Sequence, residues 1–179
     1  MRYASIDNYD IANGQMNGVS IYVQGCHFRC PNCFNPETHD FNGGKEWNKE
    51  AQEDFLKLAA RPYIKRISIL GGEPLTSENV DDVLKLVNEI RLLFPEKKIW
   101  LFTGYTWDEI TMAPGEMLDS HNGKRFKRHL IIEQCDVIVD GRYVDELRDL
   151  TLMFRGSSNQ RVIDVKKSIE KGEVVLWLD

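Results

Sequence analysis

The chain has 179 residues, 42% of them apolar and 28% charged, with a formal net charge of −5. That length amounts to a single domain able to bury a substantial core, and the mild acidity gives no footing to nucleic-acid binding. Met1–Asp10 has no apolar centre ahead of its charges and no run of about eighteen apolar residues occurs, so neither a signal peptide nor a membrane span is expected and the protein is read as cytoplasmic.

In chain order, Tyr3–Ile6 reads as a short strand and Asp7–Asn17, rich in Asn, Asp and Gly, as a loop. Val19–Gln24 alternates and is β-rich, which predicts a strand. A cysteine-bearing loop follows, then an irregular, exposed segment from Pro36 to Trp47. Asn48 is placed to cap a helix that runs to about Ala60 and is stopped by Pro62. Arg66–Leu70 is the next strand and ends in Gly71-Gly72-Glu73-Pro74. Ser77 is read as the cap of a helix whose stripe is Val80, Val83, Leu84, Val87, Ile90 and Leu93, stopped by Pro95. Lys98–Thr103 forms a third strand. A polar stretch with Pro114 and Gly115 separates it from a helix over Arg125–Gln134. Cys135–Asp140 is a fourth strand, Arg142–Leu150 a short helix or turn, and strands are expected up to Val165 and over Val174–Leu178.

Strands alternating with helices predict an α/β fold with a largely parallel sheet. In such sheets ligands bind at the carboxyl ends of strands. Those ends carry the cysteine loop, Gly71–Pro74, Thr103–Tyr105 and Asp140-Gly141, so four polar or Gly-rich turns are expected on one rim.

Cys26, Cys30 and Cys33 are spaced Cys-x3-Cys-x2-Cys. In a reducing compartment such a cluster points to metal or redox chemistry rather than disulfides. Thiolates favour zinc, copper(I) or iron–sulfur clusters. A structural zinc site is closed by four ligands, and here His27 or His39 can supply the fourth, which leaves a zinc-stabilised binding module open. The remaining cysteine, Cys135, lies far down the chain and reads as a buried thiol. Electron-transfer ferredoxins use four cysteines. A four-iron cluster on three keeps one iron free for a small molecule, which points to catalysis. His27, His121 and His129 otherwise read as solvent-facing or structural.

The triplet is the signature of the radical S-adenosylmethionine enzymes, and Gly71-Gly72-Glu73-Pro74 resembles that superfamily's second motif. Asp140-Gly141-Arg142-Tyr143 together with Phe154-Arg155-Gly156-Ser157-Ser158-Asn159-Gln160-Arg161 resembles the anaerobic ribonucleoside-triphosphate reductase-activating proteins, and the resemblance runs from about Tyr3 to Val165. It implies one domain over 1–179 folded as a partial, open (β/α) barrel, since a complete barrel needs about 250 residues. It implies a [4Fe–4S] cluster on Cys26, Cys30 and Cys33, and S-adenosylmethionine held by Gly71, Gly72 and Glu73. The aromatic residue that many members carry before the third cysteine is Asn32 here, so backbone contacts from Asn32, Cys33 and Phe34 are expected instead, with an apolar contact from the Phe34 ring or a core role for it equally open. Thr103 and Asp140 are candidates for the same ligand, with turn and cap roles as the alternative. The implied activity is cleavage to a 5′-deoxyadenosyl radical that takes hydrogen from a glycine of the anaerobic reductase, with electrons from an external donor such as reduced flavodoxin. Activation of a different glycyl-radical enzyme is the nearest alternative.

Overall fold

The computed structural model describes residues 1–112 and 123–177. Its strands are β1 (Arg2–Asp10), β2 (Gly18–Val23), β3 (Lys45–Glu46), β4 (Arg66–Gly71), β5 (Lys98–Phe102), β6 (Val137–Asp140) and β7 (Arg161–Asp164). Its helices are α1 (Lys49–Ala59), α2 (Val80–Leu93), α3 (Trp107–Ile110), α4 (Gly123–Gln134) and α5 (Val165–Lys171). The strands form one open sheet in the order β3-β1-β2-β4-β5-β6-β7. The central strands β2, β4, β5 and β6 are parallel. β1 pairs antiparallel with β2 and β3, and β7 antiparallel with β6. The expected α/β class holds, with antiparallel edges that an alternation of strands and helices does not disclose. No helix among the described residues is long and apolar enough to cross a membrane.

Register explains why the central strands read as apolar runs. Ile21, Ile69, Leu101 and Ile138 stand in line across the sheet. They pack with Phe55 of α1, Val83 and Ile90 of α2 and Ile131 of α4 in the main core. The adjacent row, Ser20, Ser68, Trp100 and Val137, faces the other side. There Trp100, Val137, Val139 and Val162 pack with Phe154 and Trp177. Strands covered on both faces lose clean alternation.

Several elements depart from expectation. β1 runs through Asp10 rather than stopping at Ile6. Its polar end is held because buried Asp10 accepts from the Arg66 guanidinium at 3.0 Å and from the Ser20 hydroxyl. Asp10 also accepts from Ala12 N–H at 2.7 Å, and Ser68 donates to the Asn13 carbonyl at 2.7 Å. These bonds lay the loop from Ile11 to Asn17 across the second face of the sheet. The Pro36–Trp47 segment contains a short 3-10 turn at Pro36–Thr38 and the edge strand β3. α2 begins at Val80 behind Asn79, not behind Ser77. Leu86 is buried where Leu93, half exposed, was expected to be. Cys135 precedes β6 at the end of α4, with its thiol donating to the Ile131 carbonyl at 3.2 Å. The tail from Val174 makes an isolated bridge at Leu176 instead of a strand, and Leu178 lies outside the described residues. Pro114, Gly115 and His121 also lie outside them.

Candidate functional site

The carboxyl ends of β2, β4, β5 and β6 open onto one cleft of about 460 Å³. Cys26, Cys30 and Cys33 line it, as do Phe34, Gly71, Gly72, Glu73 and Thr103. All four cysteines of the chain are free thiols; Cys26 is buried and Cys30 and Cys33 are partly exposed.

Backbone bonds stitch the first two turns together. Gly72 N–H donates to the Val23 carbonyl and Glu73 N–H to the Gly25 carbonyl, each at 2.8 Å. A Cβ on Gly72 would lie 2.6 Å from the Gly25 oxygen, so only glycine permits the approach. Asn79 was missed by sequence reading. Its side-chain amide donates to the carbonyls of Gln24 at 2.9 Å and Glu73 at 3.0 Å. It therefore ties the entrance of the cysteine loop to the glycine turn instead of capping α2 with a side-chain bond.

Glu73 is buried at the joint between strand ends. One carboxylate oxygen accepts from Leu75 N–H at 2.9 Å and the Thr103 hydroxyl at 2.8 Å, and the other from Gly104 N–H at 2.7 Å. Burial pushes its pKa up to about 7, against the pull of those donors. With both oxygens engaged, Glu73 braces the β4 and β5 turns, and Thr103 is its partner in that brace.

The cysteine loop turns twice through left-handed backbone, at Arg29 (φ 48°) and Asn32 (φ 52°). Asn tolerates that region better than most residues. Burial raises the Cys26 thiol, opposed by the N–H groups of Arg29 and Phe28. Burial and then the neighbouring Cys33 raise Cys30, opposed by Tyr143 N–H. Asn35 N–H points at the Cys33 sulfur at 3.5 Å.

The segment after β6 forms a further part of the cleft wall. Phe28 carries the Arg142 guanidinium 4.4 Å over its ring and meets Tyr105 edge-on at 4.9 Å. Phe34, half exposed, packs edge-on against Tyr143 at 5.1 Å and lies so close to Gly156 that a Cβ there would be 2.4 Å from its ring. The Asn159 and Gln160 side-chain amides donate to the carbonyls of Arg142 at 2.8 Å and Gly141 at 3.0 Å. Gln160 also accepts from Gly156 N–H at 3.0 Å. The Gly156–Gln160 run is thus a staple that holds the wall in place.

Two expected ligand residues stand off the cleft lining. Asn32 is exposed and its amide donates to Asp145 at 2.6 Å. Asp140 is buried, paired with Arg161 at 2.5 Å and accepting from Trp107 N–H at 2.8 Å. It borders an adjoining cleft shared with Arg142 and Arg161. His27 is exposed, 2.9 Å from Glu78, and His129 lies beside Glu133. His39 is in the cleft wall, and its Nε2 is buried with no hydrogen-bond partner.

Among the described residues no three His, Cys, Asp or Glu side chains converge as the ligands of one metal ion. A cuboidal cluster takes one thiolate at each iron, so its ligands surround a volume rather than a point. Three free thiols around one cleft, the Asn35 N–H at the Cys33 sulfur and the orphaned His39 nitrogen all fit such a group.

Residues 12–163 match the family described as a 4Fe-4S single cluster domain. The anaerobic ribonucleoside-triphosphate reductase-activating protein of Escherichia coli K12 is 38% identical, covering 90% of this chain and 97% of that protein. The protein of the same name from Vibrio cholerae is 32% identical over 89% of this chain and 96% of its own length. That of phage T4 is 31% identical over 90% and 93%. The chain therefore belongs to the 4Fe-4S single cluster domain family, and within it to the anaerobic ribonucleoside-triphosphate reductase-activating proteins.

Proposed function

We propose that the protein is a radical S-adenosylmethionine activating enzyme that installs a glycyl radical on an anaerobic ribonucleoside-triphosphate reductase. The observation that carries this reading is the single cleft that joins three free cysteines to the Gly71-Gly72 turn. Cys26, Cys30 and Cys33 hold the [4Fe–4S] cluster as thiolates, which requires their deprotonation. When bound, the cluster supplies the one-electron cleavage of S-adenosylmethionine that leads to hydrogen abstraction from a glycine Cα of the reductase.

The chain's own residues position and shield. Gly71 and Gly72 let a ligand approach backbone. Glu73, with both oxygens engaged, keeps the β4 and β5 turns in register, so an ammonium group at this wall is met by backbone oxygens rather than by the carboxylate. Phe28, Phe34, Leu70, Phe102 and Val139 exclude water from the cleft they line. On this reading the open sheet serves as a partial (β/α) barrel whose open side admits the polypeptide substrate. Cys135, buried with its thiol pushed up to about 12, is unsuited to a second cluster. Electrons then come from an external donor such as reduced flavodoxin.

Anaerobic reconstitution with iron and sulfide, followed by dithionite and S-adenosylmethionine, tests this. Cluster absorbance, ligand cleavage and a glycyl-radical signal by electron paramagnetic resonance on adding the reductase are expected. Cleavage without a radical on the reductase would overturn the partner; no cluster and no cleavage would leave a zinc-stabilised module.

A further inference from the structure

Arg155 lines the same cleft as the Gly71-Gly72 turn. Its Nε is buried and has no hydrogen-bond partner. The acid within electrostatic reach, Asp149, already accepts from the Thr151 N–H at 2.9 Å and hydroxyl at 2.6 Å. A guanidinium cannot shed its proton to escape burial, so an unpaired buried N–H on it is an unfavourable state that an anion relieves.

The rest of the lining identifies the anion. Beside Arg155, the only other cation among the described lining residues is Arg142, which lies over the Phe28 ring. The buried Glu73 carboxyl group is already satisfied by three donors. The neighbours Phe34, Leu152, Phe154 and Gly156 are apolar. A phosphate chain needs several cations or a row of backbone N–H groups, whereas one planar fork in an apolar wall matches one carboxylate.

We propose that Arg155 is a carboxylate-binding residue of the cleft, taking the carboxylate of the amino-acid end of the S-adenosylmethionine-type ligand. This rests on the function proposed above. The chemistry is shared by a carboxylate of the reductase segment that enters the cleft, and the experiment separates the two sources.

The reconstituted holoprotein and its Arg155→Met and Arg155→Lys variants are compared by equilibrium dialysis with S-adenosylmethionine and with decarboxylated S-adenosylmethionine. Loss of a charge-assisted hydrogen bond weakens S-adenosylmethionine binding by roughly ten- to a hundredfold in Arg155→Met. Binding of the decarboxylated compound stays unchanged, and Arg155→Lys recovers part of the loss. Unchanged ligand binding with a raised KM for the reductase assigns the carboxylate to the reductase and overturns the ligand assignment. Equal weakening of both compounds, or no change in either ligand binding or KM, overturns the carboxylate site. If the variants do not fold, phenylglyoxal labelling of Arg155 in the unaltered holoprotein decides. Protection by S-adenosylmethionine but not by the decarboxylated compound supports the site, and equal labelling overturns it. Failure of the unaltered protein to bind or cleave S-adenosylmethionine marks failure of the proposed function instead.

Discussion

The Asn32 side-chain amide donates to Asp145 at 2.6 Å, and the Tyr143 hydroxyl donates to the other oxygen of the same carboxylate at 2.6 Å. Asp145 thus clasps the cysteine loop to the segment after β6, whose Tyr143 lines the cleft with Cys30. Asn32→Gly keeps the left-handed turn and removes only the amide, and Asp145→Ala removes both bonds. Each variant is expected to lose a reconstituted cluster to a chelator about two- to tenfold faster, the equivalent of one net hydrogen bond. The double variant should be little faster than Asp145→Ala, because the bond is shared. Bleaching of the cluster absorbance measures the rate, and wild-type rates in both single variants would show that the clasp is idle.

Asp10 and Arg66, the latter at the amino end of β4, form a buried ion pair with the side chains almost fully enclosed. Burial pushes the Asp10 pKa up, yet the Ser20 hydroxyl, the Ala12 N–H and Arg66 together bring it below the usual carboxylate range. Removing one partner of such a pair typically destabilises by about 3–5 kcal/mol because the other charge stays buried. Asp10→Ala should therefore lower the urea midpoint sharply. Asp10→Ala with Arg66→Met should be less damaged than the sum of the single variants, which a double-mutant cycle at fixed pH reads directly.

The parts of the site that were legible share one property: residue type and chain position suffice for them. Three close cysteines after a strand and two glycines before Glu-Pro need no knowledge of partners. The parts that were not legible depend on what a polar side chain meets across the fold. Asp10 extends β1 because Arg66 waits for it. Asn79 looks like an ordinary cap, yet it links two turns. Asn159 and Gln160 gain their meaning only when Arg142 and Gly141 stand beside them. The antiparallel edges are equally silent in the sequence, since β3 is only two residues long and β7 reads like any other strand.

Glu73 makes stability depend on pH. Its folded pKa of about 7 lies above the ordinary value of 4.5. The folded state therefore keeps a proton that the unfolded chain releases in that window. Stability is full below about pH 4.5 and declines as pH rises to about 7, by about 3 kcal/mol if Glu73 acted alone. Glu73→Gln removes that slope. It also sets an amide N–H against a backbone donor, the N–H of Leu75 or of Gly104, so the variant is weaker at acidic pH. Urea unfolding of the cluster-free protein at pH 5 and pH 8 is the measurement. A wild-type slope retained in Glu73→Gln would show that another group titrates.

Cys30 and Cys135 should behave as opposites. Cys30 sits in the cleft lining, partly exposed. Cys135 is 5% exposed, donates to the Ile131 carbonyl and has its thiol pushed up to about 12 by burial. A thiolate is both the metal ligand and the species that alkylates. Iodoacetamide at pH 8 should label the partly exposed Cys30 and Cys33 in the cluster-free protein, with buried Cys26 slower, while Cys135 reacts only after unfolding. Cys30→Ala should abolish iron-dependent cleavage of S-adenosylmethionine. Cys135→Ala should keep cleavage and lose about 1 kcal/mol of stability, since one small sulfur leaves a small void. Mass spectrometry of the labelled peptides and parallel cleavage assays give both readings. Cleavage that survives Cys30→Ala but fails in Cys135→Ala would move the cluster away from the triplet.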